Sequence, residues 1–353
     1  MAANGISTKQ YKRDRQLAKL EIAEAKRQGK TVTAAGGAYT ITGTEDATKN
    51  SYRPLNVFDT DLLPTLYAVE DNNTNNVVDN PNTGGLSPYR PWENGYQILA
   101  ASFITRLNIE SQDSDPTSVY FRPDGTKMFL AGYENDKVYQ YSLSTAWDIR
   151  TASYDNDSFF LGSQDTLPLA IHFKPDGTKM YMLGFNSRSV HQYSLPTPWE
   201  ISTASYDSVD FPVASQDIRS FGIHFKPDGS KLYVVGYQEN TVSQYTLGTA
   251  WDLSTASYDD IGFSVVSEDS EAYAVSFNQD GSTMYIVGGD TNTIYQYSLA
   301  TNWDVSTAAY DRASFSLDNQ SSNTYGVFLR PDGTAMYTVN RTRISIDWYN
   351  IGV

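Results

Sequence analysis

From residue 101 to the C-terminus the chain runs in short stretches where apolar and polar residues alternate. Lys179-Met180-Tyr181-Met182-Leu183-Gly184 and Ser189-Val190-His191-Gln192-Tyr193-Ser194-Leu195 are typical. A period of two is that of a strand with one packed face, and Gly, Pro, Asn and Asp bound the runs. No stretch within 101–353 has the i, i+3, i+4 apolar spacing of a helix. The runs come in fours. Between about residues 169 and 217, Ala170-Ile171-His172-Phe173 predicts a first strand, and the two runs above predict the second and third. Residues 197–207 read as a long connection, and Asp210-Phe211-Pro212-Val213-Ala214-Ser215 as the fourth strand.

The same unit recurs. Phe121-Arg122-Pro123-Asp124-Gly125 returns at 173–177, at 225–229, as Phe277-Asn278-Gln279-Asp280-Gly281 and as Leu329-Arg330-Pro331-Asp332-Gly333, each time 52 residues on. Pro-Asp-Gly is turn chemistry: proline pre-sets φ, aspartate bonds to nearby backbone, and glycine takes positive φ without steric cost. Trp147, Trp199, Trp251 and Trp303 keep the same step. So do Tyr154, Tyr206, Tyr258 and Tyr310, and Asp113, Asp165, Asp217 and Asp269. Four short strands at a constant period of about 50 residues describe a propeller blade. The last unit supplies three strands, ending in Ile344-Ser345-Ile346-Asp347-Trp348-Tyr349. A fourth-strand pattern, Arg106-Leu107-Asn108-Ile109-Glu110-Ser111, stands one period before the fourth strand of the first unit. This N-terminal strand is expected to complete the last blade, which removes the open edges of a linear array. The fold expected is all-β: a five-bladed β-propeller of 52-residue blades over 101–353, closed by an N-terminal strand. A basic helical arm (1–30) and an extended, irregular adaptor (31–100) precede it. At the phrases quoted, the array resembles the F-x-P-D-G propeller repeats, including TolB-like and YVTN-type units. That resemblance implies architecture and leaves function open, since lectins, scaffolds and hydrolases share the fold.

In the first hundred residues, Ser7 and Thr8 can cap a helix that Gly29 stops, with Leu17, Leu20 and Ala23 as a narrow apolar stripe. Such a helix is too polar to hold a core and is read as an arm that orders on a partner. A hairpin is expected across Gly36-Gly37. The segment resembles the N-terminal part of virion structural proteins of tailed bacteriophages, cyanophages in particular. The carrying phrases are Gln16-Leu17-Ala18-Lys19-Leu20, Ala25-Lys26-Arg27-Gln28-Gly29, Leu55-Asn56-Val57-Phe58-Asp59 and Asn80-Pro81-Asn82-Thr83-Gly84-Gly85. The resemblance implies a virion location and a particle anchor that includes Lys12, Arg13, Leu17, Leu20 and Arg27. It also implies other virion proteins as partners through 1–100 and a homo-oligomer on the particle.

Charge sharpens this division. Residues 1–30 carry eight Lys/Arg against three acids, whereas the whole chain is −15. The acidic propeller argues against nucleic acid as a partner; the basic arm is the one place that could contact it, a solvated helix being the simpler reading. There is no cysteine, hence no disulfide framework and no thiolate metal site. No apolar run of about 18 residues is present to span a membrane.

Candidate chemistry is sparse. The repeated aspartates, including Asp155, Asp207, Asp259 and Asp311, read as turn residues, because a residue present in every unit has a repeated structural job. Asp115, Glu268 and Glu271 are the singular acids near the first strands. His172 and His224 hold one position in two blades and His191 lies in a third strand; none predicts a catalytic triad. Asp155-Asn156-Asp157 and Asp71-Asn72-Asn73 offer oxygens but not the twelve-residue calcium loop, so no metal and no cofactor is expected. Recognition is placed instead on the loops after the second strands, at Tyr133, Asn135, Asn186, Arg188, Tyr237, Asn240, Asp290 and Asn292, because variable loops on a fixed scaffold carry binding. The sequence expectation is thus a non-enzymatic virion protein that displays its propeller to a host-surface glycan or cements neighbouring subunits. The alternatives are a polysaccharide-acting propeller hydrolase and an intracellular protein-binding scaffold.

Overall fold

In the computed structural model, the described residues are 31–35, 38–42, 51–54 and 98–351. Contacts divide the chain into two units, Met1–Arg90 and Pro91–Val353. In the first unit, strands Thr31–Ala35, Ala38–Thr42 and Ser51–Pro54 form an antiparallel sheet in that order. The pairs Thr31↔Thr42 and Ala35↔Ala38 bracket residues 36 and 37, the place expected of the hairpin. The expected helical arm, with Lys12, Arg13, Leu17, Leu20 and Arg27, lies outside the described residues, as do the phrases at 55–59, 71–73 and 80–85. Among the described residues no helix is long and apolar enough to cross a membrane.

The second unit is a five-bladed β-propeller. Blade 1 is Pro116–Phe121, Lys127–Gly132, Lys137–Leu143 and Ala152–Phe160, and blades 2 to 4 repeat it. Blade 5 takes its first three strands, Thr324–Leu329, Ala335–Asn340 and Ser345–Asn350, from the C-terminal end. Its outermost strand is Ser102–Asn108, paired antiparallel through Ser345↔Asn108 and Asn350↔Ser102. The five first strands touch one another in turn, and the last touches the first, so they ring a central channel. The closing segment begins before its strand. The short 3-10 turn Ile98–Ala100 packs on the outermost strand of blade 4, as the other blades' turns pack on the blade before them.

The fourth strands start earlier than the alternation predicts. In blade 2 the strand is Ser205–Pro212, and residues 201–203 of the expected connection form a 3-10 turn. The cause is a β-bulge: Tyr193 pairs with Tyr206 but Gln192 pairs with Val209, and Ser208 sits at φ 58°. A bulge breaks the two-residue period and hides the first half of the strand from a pattern search. The repeated aspartates stand in these bulges. Gln140, Gln192 and Gln244 donate through Nε2 to Asp155, Asp207 and Asp259 at 2.9, 2.7 and 2.9 Å. Each glutamine's Oε1 accepts a backbone N–H from the next blade, of Ile201, Leu253 or Val305. One side chain thereby holds its own bulge and its neighbour, each buried bond contributing about 1 kcal/mol.

The tryptophans pack between blades. All four are buried with φ between 64° and 69°. Gly125, at φ 73°, lies under the Trp147 indole, and a Cβ there would come within 2.4 Å of the ring. Tyr337, Tyr181 and Tyr233 donate their hydroxyls to the carbonyls of Trp147, Trp251 and Trp303 in the following blade at 2.6, 2.6 and 2.5 Å.

The Asp113 series ties down the loop after the second strand. Asp113 accepts the N–H groups of Asp115, Glu134 and Asn135, and Asp165 does the same for Leu167, Asn186 and Ser187. Blade 5 solves the problem differently. Its equivalents are Ser321 in place of aspartate and Asn340 in place of Gly132. Asn340 Oδ1 accepts the Arg343 N–H at 3.0 Å, and Ser321 Oγ accepts the Asn323 N–H. A Cβ on Gly132 would meet the Asp113 carboxyl carbon at 2.2 Å, so the two solutions exclude one another. Asp113→Ser alone is expected to cost about 1–3 kcal/mol by leaving buried amides unpaired, and Gly132→Asn alone to clash. The double variant should recover most of either loss; additive losses in a double-mutant cycle by denaturant unfolding would contradict this.

Candidate site at the channel mouth

Where each fourth strand leads into the next first strand, and just after each second strand, three positions per blade stand around one end of the channel. Residues 115, 167, 219, 271 and 323 are Asp, Leu, Arg, Glu and Asn. Residues 117, 169, 221, 273 and 325 are Thr, Leu, Phe, Tyr and Tyr. Residues 133, 185, 237, 289 and 341 are Tyr, Phe, Tyr, Gly and Arg. The registers that hold blades together repeat almost unchanged; these three scarcely repeat at all.

The side chains meet across the axis. Phe221 stacks on Tyr273 at 4.8 Å and 27°, and meets Tyr325 edge-on at 5.3 Å. Phe221 belongs to blade 3 and Tyr325 to blade 5, so the rings reach over a blade's width and cap the channel. Tyr237 and Tyr273 flank them at 5.3 and 5.0 Å from Phe221 and Tyr325 respectively. Arg341 lies 4.9 and 5.0 Å from the centroids of Tyr325 and Tyr133 and donates to both hydroxyls. It also pairs with Asp115, its Nη2 lying 2.6 Å from Oδ2. On the other side Arg219 donates to the Tyr237 hydroxyl at 2.8 Å and sits 5.2 Å from that ring. Tyr273 donates to Glu271 Oε2 at 2.6 Å. Burial, then the Asp115 carboxylate, pushes the Tyr133 phenol up to about 12. Burial, then the bond to Glu271, pushes Tyr273 up as well. Both phenols are therefore neutral donors at pH 7. Two carboxylates, two guanidinium groups and five rings in one place suit a hydroxyl-rich ligand that stacks on an aromatic face and carries or develops negative charge.

The structure brings two of the eight loop residues to this mouth, Tyr133 and Tyr237. Asn135 donates its side-chain amide to Gln112 O at 3.1 Å, and Asn186 to Thr166 Oγ1 at 2.9 Å. Arg188, Asn240 and Asn292 share the left-handed turn position with Asp136 and Ile344, at φ 53°, 48° and 48°. Asn240 is buried and accepts the Ala272 N–H; Asn292 is buried and donates to Ser321 O. Asp290 accepts from the exposed Ser270 hydroxyl. Asn186 and Arg188 edge a small recess beside the mouth with Phe185, Ile218 and Arg219. Of the singular acids, Asp115 and Glu271 stand at the mouth. Glu268 replaces the glutamine of the other blades and, like Gln112, accepts a tyrosine hydroxyl, from Tyr297 at 3.2 Å. Arg219, Phe221, Tyr273, Tyr325 and Arg341 were missed. The signal that would have found them is divergence at fixed spacing, read one position at a time across the five copies.

No protein family matches the sequence, and no curated protein is similar to it. Among solved structures the chain is similar to a functionally unknown protein of Desulfotomaculum acetoxidans, with 11% identity over 64% of this chain and 62% of that one, TM-score 0.42. It is similar to a protein of Bacteroides uniformis provisionally named a 6-phosphogluconolactonase, with 13% identity over 64% of each chain, TM-score 0.43. It is also similar to the periplasmic gluconolactonase of Pseudomonas aeruginosa, with 17% identity over 55% and 52%, TM-score 0.38. The chain spans less than two thirds of the length of the first two of these. At such identities the likeness is one of fold.

The expectation that the chain is not an enzyme is corrected here: two of these solved propellers bear the names of lactonases, although that likeness is one of fold alone. It had rested on the uniformity of the repeats, and that uniformity ends at the mouth. Nothing among the described residues bears on the virion location or the particle partners expected of 1–100.

Proposed function

We propose that the propeller is a hydrolase acting on a carbohydrate-type substrate at the channel mouth. One observation carries this reading: in a molecule built of near-identical blades, two of the three singular acids and two arginines converge where the copies differ most. An asymmetric site is what directional chemistry on one substrate needs. Tyr237, half-buried at the mouth, would stack on a sugar ring. Glu271, one oxygen held by Tyr273, would take a proton from the attacking water as its oxygen bonds to the substrate's electrophilic carbon. It would then return the proton to the departing oxygen. Arg219 would meet the charge that develops. Asp115 would keep Arg341 aimed by neutralising it in place.

Glu271→Gln keeps the hydrogen bond from Tyr273 and removes the base. It is expected to lower kcat by about 100-fold or more while leaving KM within a few-fold, read with sugar esters, lactones and chromogenic glycosides. Unchanged turnover in this variant would remove Glu271 from the chemistry.

A further inference from the structure

Behind the aromatic cap the channel widens into a cavity of about 340 Å³. Its far end is rimmed by Pro123, Pro175, Pro227, Gln279 and Pro331, the third residues of the repeated turn phrase. No Asp, Glu, Lys or Arg lines it. One register supplies a ring-bearing inner wall: Tyr120, His172, His224, Ser276 and Phe328 from blades 1 to 5. The rings stand edge to face around the lumen, Tyr120 to His172 at 5.0 Å, His172 to His224 at 5.3 Å and Tyr120 to Phe328 at 5.3 Å. Tyr120 spends its hydroxyl on Phe173 O. His172 is 7% exposed and His224 half-buried. Neither imidazole is hydrogen-bonded to another described residue; their surroundings are the rings of Tyr120, Phe225, Trp251, Phe277 and Trp303.

A polar group that faces such a lumen is ordinarily satisfied by protein, water or ligand. We propose that this cavity, reached from the proline rim, is a second binding site, for an uncharged aromatic molecule bearing a hydroxyl group. The absence of charge in the wall excludes ions, since a bare charge buried there would have no counter-charge. The edge-to-face rings suit an aromatic guest. A neutral imidazole offers one donor and one acceptor, so two of them, with the Ser276 hydroxyl beside them, can pair both roles of a guest hydroxyl. The sequence predicts no catalytic triad for these histidines; packing is what they have, and a hydrogen-bond partner among the described residues is what they lack.

The test is titration of the full chain at neutral pH with 2-naphthol, with 2-methoxynaphthalene and naphthalene as controls, followed by fluorescence and calorimetry. One saturable site is expected for 2-naphthol, at least tenfold tighter than for either control. The double variant His172→Phe/His224→Phe should weaken 2-naphthol by at least tenfold without lowering the melting temperature, because blade 5 already carries Phe328 at this register. Glu271→Gln should leave 2-naphthol binding unchanged, which separates this site from the mouth. Equal affinity for 2-naphthol and naphthalene, no saturable binding, or unchanged binding in the double variant would overturn the proposal. The first of these would mean an unselective apolar tunnel and the second a channel that holds water alone.

Discussion

A chain beginning at residue 112 is expected to melt at least 10 °C below one beginning at residue 91. It lacks the outermost strand of blade 5, so the strand Ser345–Asn350 loses every partner on one side. It also lacks Ile98 and Ile109, both fully buried. Burying each isoleucine contributes about 1.5–3 kcal/mol. The fully buried Asp347 loses Arg106, 3.4 Å away, while its own burial, the main influence on it, already pushes its carboxyl up. Together the losses reach about 5 kcal/mol, against a total stability of about 5–15 kcal/mol for a domain. In a domain of this size 1 kcal/mol moves the melting temperature by about 2–4 °C. Calorimetry of the two chains decides it, and equal melting would contradict closure by the N-terminal strand.

Acidification below pH 6.5 is expected to destabilise the protein through the channel histidines. Burial lowers His224 to about 3 and pushes His172 well below its ordinary value, with the neighbouring His224 acting in the same direction. Their ring neighbours include one further titratable side chain, Tyr120, whose phenol burial pushes up, so no carboxylate there compensates. Histidines in the unfolded chain take up protons near 6.5, while His224 in the folded chain does not until about 3. The unfolded state therefore binds more protons in that window, and stability falls as pH falls. At about 1.4 kcal/mol per pH unit, His224 alone removes about 2 kcal/mol by pH 5, and His172 adds to it. Most carboxylates titrate below this range, near 4. His191, also lowered by burial, contributes in the same direction. The His172→Phe/His224→Phe variant should flatten the fall between pH 6.5 and 5, read as urea midpoints. A slope as steep as in the unchanged protein would place the acid sensitivity elsewhere.

The repeat made the architecture legible. A fixed step carried Gly125 into every blade and Trp147 and Asp113 into all but blade 5, and residues with a repeated job are those whose spacing shows. The closing strand was legible because it keeps phase with the other fourth strands. Its full extent was not: the bulges at Asp155 and Asp207 interrupt the alternation, and Ile98 lies before any repeated phrase. The mouth was half legible. Asp115 and Glu271 stood out because they break the pattern. Arg341 did not, since Asp115 and Tyr133 are brought to it by ring closure from 226 and 208 residues away in sequence; Arg219 did not, since its partner Tyr237 lies 18 residues on, across two strands of the same blade. Asn240 and Asn292 looked like recognition residues for the reason they are turn residues: asparagine tolerates positive φ, and its amide satisfies the backbone around it.

The most direct test of the central claim is turnover across a panel of sugar lactones, sugar esters and oligosaccharides. It compares the full chain with its Asp115→Asn/Glu271→Gln variant, whose folding is checked by melting. Turnover of at least one panel member by the unchanged chain, and loss of that turnover in the variant, is the result expected if the mouth is the site. Turnover that survives the double substitution, or none across the panel, would contradict it.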